Sequence, residues 1–300
     1  MRRRKSLLIG LLLIVVLIGF TGSYLSLQAG EQHFKEEKIG VVATMQPLAE
    51  FAEKVGGDHV QVSVMIPPGA SPHTYEPTPS QIEKVGRAEI YVKAGSGVEF
   101  ELAWINKLVE LNREMLVIDC SKGIDLIEVK EYEEDASHHN GHDPHIWLSP
   151  KNAKIIVENI YKGLALKDPA NQEYYLMNKE QYLSELDKLD RDVANTLSGK
   201  TNRKFMVYHP AWAYFAKDYG LEQISIEREG KEPTPQGIIS LIEQAKMSNI
   251  SVIFASPEFS IENAEVIAKE IDGEVVLISP FGSGYLENMY NITEAFAKAL

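Results

Sequence analysis

The chain has 300 residues, of which 44% are hydrophobic, so it holds enough apolar material for one large or two ordinary folded domains and is not a disordered chain. Its formal net charge is −13 although residues 2–5 carry +4, which leaves −17 for the remaining sequence. This balance argues against nucleic acid as a partner, because phosphate binding needs clustered lysine and arginine side chains.

The first residues have the pattern of an export segment. The four cations at 2–5 precede an apolar run, LLIGLLLIVVLIGF, which extends with mild polarity to residue 27. Such a pattern is typical of a signal peptide, and about 20 apolar residues also suffice to span a bilayer. We therefore predict residues 1–30 as a signal peptide or a membrane anchor formed by residues 7–27. The mature protein is expected outside the cytoplasm, at the cell surface or in a periplasm.

Cysteine usage restricts how the protein is stabilised and attached. The only cysteine is Cys120, so no disulfide framework is expected and no thiol near residues 20–30 is available for lipid attachment. A polar linker is predicted at residues 31–37.

Strand and helix patterns then alternate through a first lobe predicted at residues 38–168. Strands are predicted at 39–44, 60–66 and 88–95, with helical spacing of apolar residues between them. A charged loop without apolar periodicity follows at residues 128–143. This alternation indicates a parallel sheet with helices on its faces.

A long helix is predicted in a connecting segment at residues 169–199. One apolar stripe of that helix comprises Leu176, Leu183, Leu186, Val193 and Leu197. Alternation resumes in a second lobe predicted at residues 200–300. The predicted fold class is therefore α/β, with two lobes, each with a mainly parallel sheet flanked by helices, joined by one long rigid helix.

Single histidines stand at the ends of predicted strands or beside prolines. His73 and His209 follow strands, and His145 separates the charged loop from a helix. The carboxyl ends of parallel strands line the ligand crevice in α/β sheets. Three imidazoles suit zinc, and also copper, nickel or iron. Sequence spacing alone does not bring them together, and a hydrogen-bonded structural histidine is the alternative for each of them.

Six stretches, in order, resemble one known family. They are PPGASPHTYEPTPSQI, GSGVEFELAW, DPHIWLSPKNA, YHPAWAYFAKDYGL, EPTPQGI and SPEFSIENAEVIAKEI. With these stretches the chain resembles the metal-specific substrate-binding proteins of ABC importers, the TroA-like or ZnuA-like group that handles zinc and manganese. The likeness covers essentially all of the sequence after the export segment.

The resemblance implies one divalent cation bound between the lobes by His73, His145 and His209. Zn²⁺ is the expected cargo and Mn²⁺ the alternative. The fourth family position, usually an aspartate, falls on Ser279, so either Ser279 or water is expected there. Nearby carboxylates to consider for that position are Glu76, Glu258 and Glu287, and carboxylates expected to orient the histidines are Glu99 and Glu232.

The charged loop carries three more histidines. His138, His139 and His142 are predicted to form a low-affinity metal loop, with a solvated loop of no metal function as the alternative.

The implied function is binding and delivery rather than catalysis. The sequence has no GxxxxGK[ST] loop, so the resemblance assigns ATP hydrolysis to a cytoplasmic ATPase reached through an ABC permease. A zinc hydrolase with three histidine ligands is the enzymatic alternative, but no HExxH or GxSxG pattern supports it. A surface-adhesion role is a third possibility. A monomer is expected, since both lobes have to face a permease.

Overall fold

The computed structural model describes residues 38–129, 141–227 and 231–300, and residues 38–300 belong to one compact unit. The predicted export segment and linker, as well as His138 and His139, lie outside the described residues. Within the described part of the chain, no helix combines the length and the apolar character needed to cross a membrane.

The first lobe is built on a four-stranded parallel sheet with the strand order β2-β1-β3-β4. Its central strands are buried on both faces, as apolar runs in parallel sheets require. The elements are β1 Ile39–Ala43, α1 Gln46–Gly56, β2 Val60–Val64, α2 Pro79–Arg87, β3 Ile90–Lys93, α3 Glu99–Leu111, β4 Leu116–Asp119 and α4 Pro150–Lys167.

The second lobe repeats this arrangement with the order β6-β5-β7-β8, again all parallel. Its elements are β5 Lys204–Val207, α6 Ala213–Tyr219, β6 Glu222–Ser225, α7 Pro235–Met247, β7 Val252–Ala255, α8 Glu262–Glu270, β8 Glu274–Leu277 and α9 Tyr285–Ala299. The predicted fold class is confirmed. In each sheet the second strand pairs on one side of the first strand and the third strand pairs on its other side. Such a reversal of strand order opens a crevice at the carboxyl ends of the strands.

A 27-residue helix, α5 (Gln172–Ser198), joins the lobes and is about 40 Å long. It packs against α1 and α4 of the first lobe and against α9 of the second. The predicted stripe is wrong at Leu176, which is 40% exposed. Tyr175 and Tyr182 are buried instead, because one residue along a helix turns the side chain by about 100°.

Hydrogen bonds fasten the lobes together around Trp147. The indole Nε1 donates to the carbonyl oxygen of Pro280 at 2.8 Å, and the Tyr285 hydroxyl donates to the carbonyl of Trp147 at 2.8 Å. The Tyr214 hydroxyl of the second lobe donates to the carbonyl of Asp143 at 2.9 Å. These buried bonds join the two lobes.

Candidate metal centre

The three predicted histidines meet where the two lobes face each other. The ring centroids of His73 and His209 are 5.1 Å apart, and those of His145 and His209 are also 5.1 Å apart. The Nε2 atoms of His145 and His209 lie 3.2 Å from each other. The Nε2 atom of His73 is buried and has no hydrogen-bond partner. Three imidazoles from distant parts of the sequence thus share one small volume.

Local structure places each ring at this point. His73 lies in turns that follow β2, where its backbone N–H donates to the Ser71 hydroxyl at 3.3 Å. His145 directly precedes a short 3-10 helix, Ile146–Leu148. His209 is the second residue after β5. Two rings therefore come from the carboxyl ends of parallel strands, one in each lobe, as predicted.

A carboxylate holds the Nδ1 side of every ring. The distances from Nδ1 are 2.9 Å to Glu99 for His73, 3.0 Å to Asp143 for His145 and 3.3 Å to Glu227 for His209. Because a carboxylate accepts a hydrogen bond from Nδ1–H, these contacts assign the neutral tautomer whose lone pair is on Nε2. Carboxylate–histidine pairs of this kind orient metal ligands and raise their basicity.

The environments of His73 and His209 shift their pKa values in opposite directions. Burial lowers the pKa of His73, but the hydrogen bond and charge of Glu99 outweigh it, so the pKa is raised. Burial also opposes ionisation of Glu99, yet its bond to His73 lowers the Glu99 pKa to about 2. Burial lowers the pKa of His209, and Glu227 only partly offsets this effect. His209 thus stays neutral to lower pH than an ordinary histidine.

The spacing of Nε2 atoms matches a shared cation. Two Nε2 lone pairs 3.2 Å apart repel each other unless a proton or a cation lies between them. A tetrahedral zinc ion with Zn–N bonds of 2.0–2.1 Å would separate two ligand nitrogens by about 3.3 Å. In the described ranges, no group of three or more His, Cys, Asp or Glu side chains is already closed around one metal position. Binding therefore needs a side-chain adjustment.

His73 is the ring best placed to adjust. Its side chain is 25% exposed, whereas those of His145 and His209 are 5% and 6% exposed. The imidazole set as a whole fits zinc, copper, nickel or iron rather than magnesium or calcium, which prefer oxygen ligands.

Ser279, at the expected fourth position, already has two hydrogen bonds. Its hydroxyl donates to Glu258 at 2.6 Å and accepts from the backbone N–H of Phe281 at 3.1 Å. Ser256 donates to the other carboxylate oxygen of Glu258. Of the carboxylates considered near this position, Glu258 is thus bonded to Ser279.

Sequence reasoning missed two of the three carboxylates. Glu99 was expected to orient a histidine and contacts His73, but Glu227 rather than Glu232 contacts His209. Asp143 stands only two residues before His145, a spacing from which its role was readable. Glu227 follows β6, a strand that the sequence pattern did not reveal.

The loop that carries the additional histidines is tied at its ends. Glu128 and His142 form an antiparallel bridge, flanked by backbone hydrogen bonds from Val129 to Gly141 and from Asp143 to Ile127 at 2.8 Å each. The bridge fixes the end of the loop directly before Asp143, whose carboxylate contacts His145.

Two parallel-sheet lobes with an imidazole cluster in the crevice between them define a binding protein for a transition-metal ion. The family described as ZnuA, zinc-uptake complex component A, periplasmic, matches residues 41–299, and the chain belongs to this family. Its members are substrate-binding proteins of ABC importers and are not enzymes. The predicted resemblance is confirmed, and the hydrolase alternative is not supported.

Individual relatives agree on the family and differ in the metal. The high-affinity zinc uptake system protein ZnuA of Bacillus subtilis (strain 168) is 31% identical over 291 residues, which cover 90% of each chain. The iron ABC transporter substrate-binding lipoprotein MtsA of Streptococcus pyogenes serotype M1 is 33% identical over 283 residues, 90% of this chain and 87% of that protein. A crystal structure of ZnuA superimposes with a TM-score of 0.82 at 39% identity, over 88% of this chain and 99% of the other.

Proposed function

We propose that the protein captures Zn²⁺ outside the cytoplasm and delivers it to the permease of an ABC importer. The observation that carries this proposal is the 3.2 Å separation of the His145 and His209 Nε2 atoms, both held by carboxylates on the Nδ1 side. Imidazole donors favour zinc over manganese, which prefers carboxylate and water oxygens. The zinc-uptake relative supports this choice, and the iron-transport relative makes iron a competitor to test.

In this proposal His73, His145 and His209 bind the ion and water completes the tetrahedron. Water is favoured over Ser279 because the serine hydroxyl already donates a hydrogen bond to Glu258 and accepts one from the backbone N–H of Phe281. A serine oxygen that keeps its proton is a weak zinc donor. Mn²⁺ is the alternative cargo and would need more oxygen ligands than this set offers.

The partners follow from the family. A monomer would present both lobes to a permease, which a cytoplasmic ATPase drives. Residues 1–30 would direct export, and residues 7–27 would anchor the protein if they are not cleaved.

The histidine loop has a separate, weaker role in the proposal. His138, His139 and His142 would hold a second zinc ion loosely and pass it to His145, close by in the chain. Replacing the three by alanine is expected to remove a weak second equivalent in a zinc titration and leave the tight one. Loss of the tight equivalent would contradict this division of labour.

The proposed function is tested by calorimetric titration of residues 31–300 with Zn²⁺, Mn²⁺ and Fe²⁺ under anaerobic conditions. We expect tight 1:1 zinc binding, with manganese orders of magnitude weaker. The variant His209→Ala should lose tight zinc binding. His59→Ala is the matched control, because His59 packs against Tyr174 and Tyr175, away from the site. Preferred manganese or iron binding, or zinc binding indifferent to His209→Ala, would refute the proposal.

A further inference from the structure

The side chain of Phe259 touches two rings of the histidine cluster and has no part in the binding chemistry described so far. Phe259 lies in the loop between β7 and α8 of the second lobe and is partly exposed. Its ring stacks on that of His209, with centroids 4.6 Å apart and planes inclined by 29°. The same ring lies 5.7 Å from His73, inclined by 50°. Phe259 therefore contacts one histidine of each lobe.

Protein side chains enclose part of the cluster. The Trp147 ring packs 5.4 Å from that of His145, and Trp147 is fully buried. Carboxylates occupy the Nδ1 side of each imidazole. Of the three rings, that of His73 has the largest exposed fraction, and the partly exposed Phe259 lies against it. An ion that enters or leaves beside His73 meets the Phe259 ring.

The Phe259 loop is fastened rather than loose. The Phe259 N–H donates to the carbonyl of Ser256 at 3.2 Å, which forms a turn. Within this turn the Glu258 carboxylate accepts from Ser256 and from Ser279, and Ser279 follows β8. Two serine hydroxyls thus hold the residue next to Phe259 against the neighbouring strand end. These bonds restrain the backbone that carries the Phe259 ring.

We propose that Phe259 is a cover over the metal site that sets the rate of metal exchange, and that the bonds of Glu258 to Ser256 and Ser279 keep this cover closed. The inference rests on the proposed function, because it assigns a kinetic role at that same site. Histidines select the ion, and the cover slows both its entry and its escape. Such a role is distinct from ligation, since an apolar ring donates no electron pair to a metal.

Stopped-flow measurement of both rate constants tests the cover. Association is followed by mixing the protein with Zn²⁺ and release by mixing the zinc-loaded protein with excess chromogenic chelator. For Phe259→Ala we expect association and release both to accelerate by about five- to tenfold, the size expected for loss of one aromatic contact, while Kd changes less than either rate. A ring that only stabilised His209 would instead speed release and leave association unchanged.

Three further variants sharpen the test. Phe259→Leu keeps apolar bulk and should accelerate exchange less than Phe259→Ala. Glu258→Gln keeps size but weakens the acceptor of two hydroxyls, so it should accelerate exchange while Phe259 is intact. Tyr161→Ala is the matched control, since Tyr161 is a partly buried aromatic on α4 that lies against Lys179.

The outcomes separate the cover from the binding function. If the wild-type protein binds zinc through His209 and Phe259→Ala has wild-type rate constants, the cover is refuted and the binding function stands. If the wild-type protein binds no zinc, both proposals fall. Circular dichroism and thermal unfolding of each variant show whether a changed rate reflects the site or a loss of folding.

Discussion

At the scale of single residues, the site depends on how carboxylates aim the imidazoles. Glu99, Asp143 and Glu227 each accept a hydrogen bond from one Nδ1–H, which leaves the Nε2 lone pairs directed toward a common point. The same contacts set the competition between metal and protons, because a histidine has to be neutral to bind an ion.

We expect zinc affinity to fall as the pH is lowered. The raised pKa of His73 means that its proton competes with zinc already above pH 6.5, whereas the lowered pKa of His209 delays competition at that ring. Kd should therefore rise by at least about tenfold between pH 8 and pH 5. Calorimetry across this range checks the expectation, and Glu99→Gln should move the onset to lower pH. Constant affinity would contradict histidine ligation.

The residues of the site were largely readable from sequence, and their contacts were not. Histidines beside prolines at strand ends marked the three rings, and the structure brings them together. Glu227 escaped notice because it lies 18 positions from His209 and becomes its neighbour only when β5 and β6 pair. Such tertiary pairs leave no local signal in one sequence.

At the scale of elements, the sequence pattern predicts well-buried helices and strands and misses partly exposed ones. The pattern missed α3 because its apolar residues are split between faces, with Leu102 and Leu111 exposed. It missed β6 because four residues, Glu222–Ser225, form a partly exposed edge strand with no apolar run. Long, well-buried elements such as β1 and α5 were predicted within a few residues of their ends.

Helix α5 offers a matched pair of leucines that separates burial from composition. Leu186 is fully buried, and its replacement by alanine is expected to lower the free energy of unfolding by about 2–5 kcal/mol. Leu176 is 40% exposed, and the same replacement there should change the free energy of unfolding by no more than about 0.5 kcal/mol. Urea unfolding followed by circular dichroism measures both values. Equal losses would contradict the packing described for α5.

At the scale of the whole molecule, hydrogen bonds join the two lobes within one compact unit. Trp147 binds Pro280 and Tyr285, and Asp218 of the second lobe accepts from Ser149 of the first at 2.5 Å. The alternation of strand and helix patterns predicted two lobes, but these bonds join residues as many as 138 positions apart and follow only from docking of the lobes.

We expect zinc to stabilise both lobes together. An ion that binds only the folded protein adds about 4 kcal/mol at a free concentration one thousand times Kd. A single thermal transition should shift upward with zinc and return when a chelator is added. The same shift should be absent in His209→Ala. Two separate transitions, with only one responding to zinc, would show that the lobes unfold independently.

The single passage of the chain between the lobes, through α5, has a consequence for biosynthesis. Every strand of the first sheet and the helices that cover it precede α5, so this lobe is complete before the second has been translated. Its sheet contacts are close in sequence, which favours early folding. His209 arrives only with the second lobe, so the three-histidine site cannot form while the first lobe alone has been made. The complete site therefore depends on the folding of the second lobe.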